Sequence, residues 1–454
     1  MEIKELQAYL KMLMDNAKTA ARELEKCSQE QVDAMTKAIA KAVYDHAEEL
    51  ARDAVDETKM GVYADKVAKN KNKAKLIWWS LKDKLSVGII DRDVTSGIIK
   101  IAKPVGVVAA ITPLTNPIVT PMSNAMFAIK GRNSIIITAH HKATRCGMKA
   151  IQYINAELEK LGAPKHAVQI MEHSDRELTR MLVASADKVI ATGGMSMVKT
   201  VYSSGKPALG VGAGNVQCLV DTGVNYEAAV KMIIKGRAFD NGIICTGEQS
   251  VIAPSKDYDR IMKLFDENGA YVVRKEEVDQ LRETIFPDGK MERDLIGQGA
   301  DKIAKAAGLS IMEGTKILVV EAADREDILG SEKMFPVLSA YRYDTWDEAI
   351  EIARDNLEKI GKGHSICIHS YNKGKVEEAA LKCEVSRIVV NQSCSSSGGG
   401  SFQNGLNPTN TLGCGTWGNN SISENLTYYH LLNISRIANV LEDRCAPDDA
   451  IIWG

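Results

Sequence analysis

The chain has 454 residues, of which 45% are apolar and 26% charged, so it is long enough for two or three domains with cores of their own. Its 57 basic and 59 acidic residues leave a formal charge of −2, which excludes the strongly basic surface that binding to nucleic acid or an anionic membrane requires. Nine scattered cysteines without a Cys-x-x-Cys pair exclude a disulfide scaffold or a zinc ribbon and indicate a reducing compartment.

The N-terminal sequence lacks the basic region and unbroken apolar run of a signal peptide. The longest apolar stretch, from Val105 to Ile111, is far shorter than the roughly 20 residues that span a bilayer. We therefore expect a cytoplasmic enzyme that acts on small molecules and binds neither nucleic acid nor membrane.

Helical periodicity runs from residue 1 to about residue 80, and Ser28 with Gln31 forms a capping-box signature that predicts a helix start. Short β-like runs between Val87 and Val108 then predict a hairpin. These patterns place a helical segment ahead of the first strands.

Strands and helices alternate over the rest of the chain in two blocks, and this order is typical of βαβ units with parallel sheets. The second block runs from Ser250 to about Val390. The sequence therefore predicts two α/β domains in series. The predicted strands cover 134–138, 167–171, 188–192, 217–220, 316–321, 339–343 and 387–391, and the predicted helices cover 149–161 and 195–202 and begin at Ser174 and Thr345.

Two glycine motifs compete for the role of a phosphate-binding turn. A literal G-x-G-x-x-G occurs at residues 413–418, but it follows a polar stretch and lies too near the C-terminus to open a βαβ unit. Thr192-Gly193-Gly194 directly follows a predicted strand and precedes a predicted helix. Free N–H groups at such a helix start favour a bound pyrophosphate, so the second motif is the better candidate.

Cys245 differs from the other cysteines because it lies among glycines, just ahead of a predicted strand. A nucleophilic thiolate needs a loop position where backbone N–H groups lower its pKa and hold an oxyanion. Cys218 and Cys367, in contrast, lie in apolar strand-like runs and are expected to be inert core thiols. Cys245 is the candidate nucleophile.

Four segments, taken together and in their order along the chain, resemble the motifs of one known enzyme family. They are Ile111-Thr112-Pro113-Leu114-Thr115-Asn116-Pro117, Ala191-Thr192-Gly193-Gly194, Asn241-Gly242-Ile243-Ile244-Cys245 and Glu332-Lys333-Met334-Phe335-Pro336-Val337. Together with residues 411–425 they resemble the CoA-acylating branch of the aldehyde dehydrogenase family over essentially the whole chain. Residues 60–69, 423–428 and 452–454 resemble the members of this branch that act on succinate semialdehyde.

The resemblance implies that Cys245 attacks the aldehyde and that loss of a hydride leaves a thioacyl enzyme. The backbone N–H of Cys245 and a side chain of the Thr115-Asn116 pair would hold the oxyanion; an ungapped register points to Thr115, whereas the better donor is the amide of Asn116. Hydrolytic relatives carry a glutamate at the position of Gly210, and without this base the thioacyl group waits for the thiol of CoA. His364 is a candidate base for that thiol.

The resemblance also implies a nicotinamide cofactor as the hydride acceptor. Its pyrophosphate would lie at Gly193, and its nicotinamide ribose at Glu332 and Met334. Thr192 and Gly194 complete the predicted cofactor turn, and no metal is expected.

The adenosine end of the cofactor decides between NADP and NAD. Many NAD-preferring relatives have a glutamate at the position of Thr144, which would repel a 2′-phosphate. Here that acid is absent, and the neighbouring His141 and Lys142 favour NADP by charge matching, with NAD as the alternative.

The resemblance implies succinate semialdehyde and succinyl-CoA as substrates, and their distal carboxylate needs a cation or a hydroxyl cluster. Candidates are Thr246, Arg132, Ser395, Ser396 and Ser397. Acylating enzymes for acetaldehyde, propionaldehyde or sulfoacetaldehyde stay as alternatives. A hydrolytic dehydrogenase and a non-catalytic nucleotide-binding protein on the same fold also stay open.

The fold implied is α/β, with two Rossmann-like α/β domains and a small β oligomerisation segment. We expect a cofactor-binding domain over 1–221 with a projecting hairpin at 87–103, and a catalytic domain over 222–415. Residues 416–454 would return to the cofactor domain and a subunit interface. This arrangement predicts a homodimer or a homotetramer.

Overall fold

The computed structural model describes residues 3–173 and 175–454, and its strands form sheets of five, seven and three strands. The strands are β1 (Gly88–Asp93), β2 (Ile98–Pro104), β3 (Val107–Ile111), β4 (Ser134–Thr138), β5 (Val168–Ile170), β6 (Lys188–Thr192), β7 (Ala208–Val211), β8 (Val216–Val220), β9 (Glu248–Pro254), β10 (Ala270–Val272), β11 (Ile317–Glu321), β12 (Val337–Tyr343), β13 (Gly363–His369), β14 (Val385–Val390) and β15 (Leu432–Ala438). The helices are α1 (Ile3–Leu24), α2 (Gln29–Asp45), α3 (Ala47–Thr58), α4 (Tyr63–Leu81), α5 (Val119–Lys130), α6 (Thr144–Lys160), α7 (Arg176–Ser185), α8 (Met195–Tyr202), α9 (Tyr226–Ala238), α10 (Tyr258–Glu267), α11 (Val278–Ile285), α12 (Ala300–Ala306), α13 (Trp346–Lys359), α14 (Lys373–Lys382), α15 (Cys394–Ser397) and α16 (Asp449–Trp453).

The first sheet has the strand order β5-β4-β3-β6-β7, and all its pairings are parallel. Its central strands are apolar and buried on both faces, as parallel strands covered by helices are. Val108 and Ala110 face the core formed by α2 to α6, whereas Val107 and Ala109 face the core formed by α1 and α7. This layer is the first of the two predicted α/β domains.

The second sheet has the order β10-β11-β12-β9-β8-β13-β14 and is also parallel throughout. Cys218 on β8 and Cys367 on β13 are register partners in its buried core, as expected for inert thiols. Because β8 pairs with β9 and β13, the predicted domain boundary at residue 221 lies one strand too late. The chain crosses between the two sheets over residues 212–215.

The third sheet is antiparallel, with β2 between β1 and β15. The predicted hairpin at 87–103 is therefore present, and the C-terminal segment returns to it as β15. Further contacts tie this segment to the first domain, since Asn133 Nδ2 donates to the carbonyl of Leu431 and Tyr428 OH donates to the carbonyl of Leu85.

Local signals were correct at some helix starts and wrong at others. The capping box of Ser28 with Gln31 opens α2. The helix predicted from Ser174 begins at Arg176, because the carboxylate of Asp175 accepts the free N–H groups of its first turn; Ser174 itself lies outside the described residues. The helix predicted over 149–161 begins five residues earlier, at Thr144. Residues 413–418 follow no strand, so this motif opens no βαβ unit.

Among residues 3–173 and 175–454, no helix combines the length and the apolar character that crossing a membrane requires.

Candidate active site

Cys245 lies where two cavities meet, a larger one of about 1090 Å³ and a smaller one of about 460 Å³. Asn116, Asn410 and Leu412 line both cavities with it. A ligand in either cavity therefore has access to the thiol of Cys245 and to the side-chain amides of Asn116 and Asn410.

The loop that carries Cys245 turns sharply after α9. Asp240, Asn241 and Gly242 follow one another in left-handed backbone conformation, with φ angles of 52°, 53° and 72°. Asp and Asn tolerate this region better than other residues with a side chain, and glycine adopts it freely. The first domain also touches this loop, because a Cβ on Gly214 would overlap the carbonyl oxygen of Cys245. The turn and this close approach fix the position of Cys245.

A buried ion cluster holds the turn against α4. The Asp240 carboxylate accepts from Lys66 Nζ at 3.0 Å, Lys69 Nζ at 2.5 Å and the backbone N–H of Val62 at 2.9 Å, and the N–H of Asp240 donates to Asp65 at 2.8 Å. Burial alone would raise the pKa of Asp240, but the two lysines outweigh it and hold this pKa below its ordinary value. Asp240 is therefore ionised in the native protein.

The thiol of Cys245 is not activated by its surroundings in this state. Burial raises its pKa to about 12, with a contribution from the Glu332 carboxylate, while Arg387 and Lys73 oppose the shift. The expectation that the loop lowers this pKa is therefore wrong, since desolvation exceeds the effect of nearby positive charge. The thiol needs a proton acceptor to become nucleophilic.

The smaller cavity contains the predicted phosphate-binding turn. Thr192, Gly193 and Gly194 line it where β6 turns into α8, and Gly194 is the N-cap of that helix. A Cβ added at either glycine would meet no heavy atom within 4 Å, so the turn is open to a close-packed phosphate.

Glu332 and Met334 line the same cavity nearer to Cys245. The Glu332 carboxylate accepts from the N–H of Gly214 at 3.2 Å, and burial raises its pKa to about 7. At the opposite end, His140, His141, Asp175 and Arg176 line the cavity. The cavity thus has a phosphate turn between a carboxylate end and a largely basic end.

His364 also lines the smaller cavity, at the start of β13. It is 1% exposed, and its Nδ1 atom has no hydrogen-bond partner within the described residues. Burial, followed by the charge of Arg387, holds the pKa of His364 well below its usual range. The imidazole is therefore neutral.

Arg387 supports this histidine from β14. Its guanidinium donates to the carbonyl of His364 at 2.8 Å, to Ser365 Oγ at 3.1 Å and to Asn425 Oδ1 at 3.2 Å. The buried guanidinium of Arg387 thus forms hydrogen bonds with both the start of β13 and the C-terminal segment.

The larger cavity is polar near Cys245. Thr246, Ser395 and Ser396 line it, and Thr246 Oγ1 donates to the carbonyl of Ser395 at 3.2 Å. Lys73 also lines it and donates to the carbonyls of Gly399 at 2.9 Å and Thr409 at 3.2 Å. An ammonium has three N–H donors, so Lys73 retains one for a ligand.

Comparison with known proteins agrees with this geometry. The profile of the aldehyde dehydrogenase family matches residues 5–407. The chain belongs to the aldehyde dehydrogenase family. It is 52% identical to the succinate-semialdehyde dehydrogenase (acetylating) of Clostridium kluyveri over 448 residues, which are 98% of this chain and 99% of the relative. A sulfoacetaldehyde dehydrogenase of Acholeplasma sp is 37% identical, over 96% of this chain and 92% of its own length.

Solved structures of aldehyde dehydrogenases confirm the predicted fold of two Rossmann-like domains and a small third sheet. An acetylating aldehyde dehydrogenase from Geobacillus thermoglucosidasius superimposes with a TM-score of 0.94 at 35% identity, over 98% of this chain and 99% of its own. A Rhodopseudomonas palustris propionaldehyde dehydrogenase, solved with bound CoA and an acylated cysteine, has a TM-score of 0.85 at 28% identity and covers 96% and 98% of the two chains. This aldehyde dehydrogenase is thus similar in sequence and structure to acylating enzymes.

The structure brings together most site residues expected in this dehydrogenase. Those that line one or both cavities are Thr115, Asn116, His141, Thr192, Gly193, Gly194, Cys245, Thr246, Glu332, Met334, His364, Ser395 and Ser396. Thr115 lines only the smaller cavity, whereas Asn116 lies at the junction with Cys245.

Two expected residues lie elsewhere. Arg132 is 8% exposed, and its guanidinium donates to the carbonyls of Glu25 and Ala102, so it is no candidate for the substrate carboxylate. Lys142 lines neither cavity, because the 3₁₀ turn that begins at His141 directs the histidines to the cavity instead. Arg176, not Lys142, is the strongly basic side chain that lines the smaller cavity beside these histidines.

Sequence reasoning missed the lysines of α4 and their partner Asp240. Lys66, Lys69 and Lys73 recur at intervals of three and four residues, which places them on one helix face. This spacing is visible in the sequence, but three lysines on one face of a helix usually indicate that the face is exposed to solvent. Only the fold shows that this face packs against the loop of Cys245.

Proposed function

We propose that this protein is a CoA-acylating succinate-semialdehyde dehydrogenase, which interconverts succinate semialdehyde, CoA and NAD(P)⁺ with succinyl-CoA and NAD(P)H. The observation that carries the proposal is the position of Cys245, at the junction of a cavity with an open glycine turn and a lysine-bearing cavity. The likeness to the succinate-semialdehyde dehydrogenase (acetylating) of Clostridium kluyveri supports it.

The reaction begins with the thiol of Cys245, whose sulfur bonds to the aldehyde carbon as its proton leaves. The free ring nitrogen of His364 is the acceptor that we assign to that proton. The side-chain amide of Asn116 and the backbone N–H of Cys245 stabilise the oxyanion of the thiohemiacetal. A nicotinamide cofactor bound in the smaller cavity supplies the hydride acceptor.

The thioester that remains on Cys245 is released by the thiol of CoA. Once His364 has released the first proton to solvent, its neutral imidazole can take the proton of the CoA thiol and return it to the Cys245 sulfur. The new thioester forms as the bond to Cys245 breaks, and the thiol is restored.

Water competes poorly with CoA for the thioester. At the position where hydrolytic relatives carry a glutamate, Gly210 lies in β7, and a Cβ there would come within 2.8 Å of Tyr202 and Val198. The carboxylates that line the two cavities, among the described residues, are Asp65, Asp175 and Glu332. Burial raises the pKa of Glu332 to about 7, and its carboxylate already accepts the N–H of Gly214, so it does not replace the glutamate that hydrolytic relatives carry at the position of Gly210.

The distal carboxylate of succinate semialdehyde is assigned to Lys73, with Thr246, Ser395 and Ser396 as hydroxyl partners. Burial lowers the pKa of Lys73 to about 8, so the ammonium is still mostly charged at pH 7. Short aldehydes without a charge would leave this cation unpaired, which disfavours acetaldehyde and propionaldehyde. Sulfoacetaldehyde, which carries a distal anion, is the second candidate.

NADP is the preferred cofactor in this proposal, with NAD as the alternative. His140, His141 and Arg176 offer positive or protonatable groups to a 2′-phosphate. Asp175 is the opposing carboxylate, but its side chain is engaged by the N–H groups of Glu177 and Leu178.

We also propose a homodimer or homotetramer that forms through the third sheet, in the reducing environment of the cytoplasm, where a catalytic thiol stays free. The support is the antiparallel sheet itself, whose strands carry exposed apolar residues such as Ile89 and Ile437. Light scattering coupled to size-exclusion chromatography measures the state directly.

A spectrophotometric panel tests the activity. Succinyl-, acetyl-, propionyl- and sulfoacetyl-CoA are each reduced with NADPH and with NADH, and Cys245→Ala serves as the inactive control. We expect the highest kcat/KM with succinyl-CoA and NADPH. Equal rates on acetyl-CoA and succinyl-CoA would refute the succinate assignment, and activity that survives in Cys245→Ala would refute the mechanism.

A further inference from the structure

The two cavities that meet at Cys245 differ in their charge. The larger cavity is lined, within the described residues, by five lysines and one aspartate: Lys69, Lys73, Lys231, Lys235, Lys316 and Asp65. The smaller cavity is lined, in the part of the chain that the structure describes, by two carboxyl groups, those of Asp175 and Glu332, one guanidinium, that of Arg176, and three histidines, so it lacks the excess of positive charge. Because the whole chain carries a formal charge of −2, the positive character of the larger cavity is local.

Three of these lysines, Lys231, Lys235 and Lys316, are exposed and form what we call the lysine rim. Lys231 and Lys235 are one helical turn apart on α9, and Lys316 precedes β11. Lys231 is paired with Glu227 at 2.6 Å. Lys235 has no ion-pair partner within residues 3–173 and 175–454, and Lys316 makes only a 3.4 Å contact from its Nζ to the carbonyl of Asn268. Two rim cations are thus free to act on a passing anion.

The inner end of the larger cavity is positively charged as well. Lys73 is half-buried there next to the carbonyls of Gly399 and Thr409, and Lys69 is neutralised by Asp240 behind it. A cleft lined by one sign of charge, with walls of low dielectric constant, focuses the field and raises the local concentration of the opposite ion.

We propose that the lysine rim steers anionic aldehydes into the larger cavity, so that the enzyme selects a charged substrate before it reaches Cys245. This inference rests on the proposed function, since it requires that succinate semialdehyde is a substrate. Aldehydes are assigned to this cavity because the open glycine turn, which fits a pyrophosphate, lies in the other one. Lys235 and Lys316 are therefore specificity determinants that act from outside the reacting centre.

The experiment compares succinate semialdehyde with butanal, a neutral aldehyde of the same carbon number, in the CoA-dependent oxidation by the full-length enzyme. The Debye length falls from about 30 Å at 0.01 M salt to about 8 Å at 0.15 M, so a steering effect weakens over this range. We expect kcat/KM for succinate semialdehyde to fall about 3- to 10-fold between these conditions, and kcat/KM for butanal to stay constant.

The test variant is Lys235→Gln/Lys316→Gln, and the matched control is Lys37→Gln/Lys373→Gln. The control removes the same charge from exposed lysines on α2 and α14 that line neither cavity. We expect the test variant to lose most of the low-salt advantage of succinate semialdehyde through kcat/KM, with kcat unchanged, and the control to retain it.

Each other outcome overturns the inference in a distinguishable way. If the enzyme oxidises succinate semialdehyde with CoA but shows the same salt profile for both aldehydes, steering is wrong and the proposed function stands. If the test variant instead raises the KM for CoA in the butanal reaction, the rim binds phosphates of CoA. If succinate semialdehyde is no substrate at all, the proposed function fails and the inference fails with it.

Discussion

Asp240→Asn is a sharp test of how the catalytic loop is held, because the substitution changes charge and almost nothing else. Asparagine has the same shape as aspartate and tolerates the left-handed backbone of residue 240 equally well. The change therefore removes the counter-charge of Lys66 and Lys69 without adding backbone strain or a cavity.

The expected cost follows from the burial of the cluster. Asp240 is fully buried, and the side chains of Lys66 and Lys69 are 4% and 8% exposed. Removing one partner of a buried pair leaves an uncompensated charge and costs about 3–5 kcal/mol. For a domain of this size, such a loss lowers Tm by about 6–20 °C. The exposed pair of Lys11 with Asp15 is the matched control, since a surface pair contributes at most about 1 kcal/mol.

Differential scanning calorimetry of Asp240→Asn and Asp15→Asn at pH 7 measures the two costs, and steady-state kinetics measures the effect on the loop. We expect kcat to fall in Asp240→Asn while KM for NADPH changes little, because the loop carries Cys245 and not the cofactor turn. The pKa of Asp240 is below its ordinary value, so its contribution is fully present above the unfolded-state pKa and is lost as the pH falls through the native one. A shift in Tm no larger than that of Asp15→Asn at pH 7 would refute the assigned role.

Three further predictions concern the thiol and its cavities. Gly214→Ala should lower kcat by at least about 100-fold with little change in KM for NADPH. A Cβ at residue 214 would displace the carbonyl of Cys245, and moving a catalytic group by about 1 Å can cost this factor in rate. A variant with normal kcat would contradict the close approach of Gly214 to Cys245. Iodoacetamide should alkylate Cys245 slowly at pH 7 and ever faster up to pH 10 without a plateau, because burial raises the pKa of this thiol to about 12. Glu332→Gln should speed the alkylation at pH 8 by about tenfold for each unit by which the pKa of Cys245 falls. An unchanged rate would show that Glu332 has no influence on this pKa. Lys73→Met should lower kcat/KM for succinyl-CoA relative to propionyl-CoA by at least about tenfold, which is the loss expected for a charge-assisted hydrogen bond. An equal loss on both substrates would contradict the assignment of Lys73 to the distal carboxylate.

Strands with a clear apolar run were predictable from the sequence, and so was the glycine turn between β6 and α8. The predicted runs at 134–138 and 188–192 coincide with β4 and β6, because buried parallel strands are apolar throughout and end at glycines or polar residues. Thr192-Gly193-Gly194 was recognisable because its position between a strand and a helix is a local property.

What depends on distant packing was not predictable. The strand β8 follows the first sheet in sequence but pairs in the second, and no local pattern records that choice. The positive cavity has the same origin, since α4, α9 and the residues before β11 contribute its lysines from separate parts of the chain. The raised pKa of Cys245 depends on burial by both domains, whereas the sequence shows only its neighbouring glycines.

The groups around Cys245 also explain why acyl transfer to CoA is favoured over release of an acid. The sulfur holds its proton until an acceptor such as the neutral His364 lies in reach. Hydrolysis would require an ionised carboxylate beside the thioester on Cys245. Gly210 supplies none, and the Glu332 carboxylate is held by the N–H of Gly214. CoA needs less help because its thiol is far more acidic than water and its thiolate is intrinsically the better nucleophile.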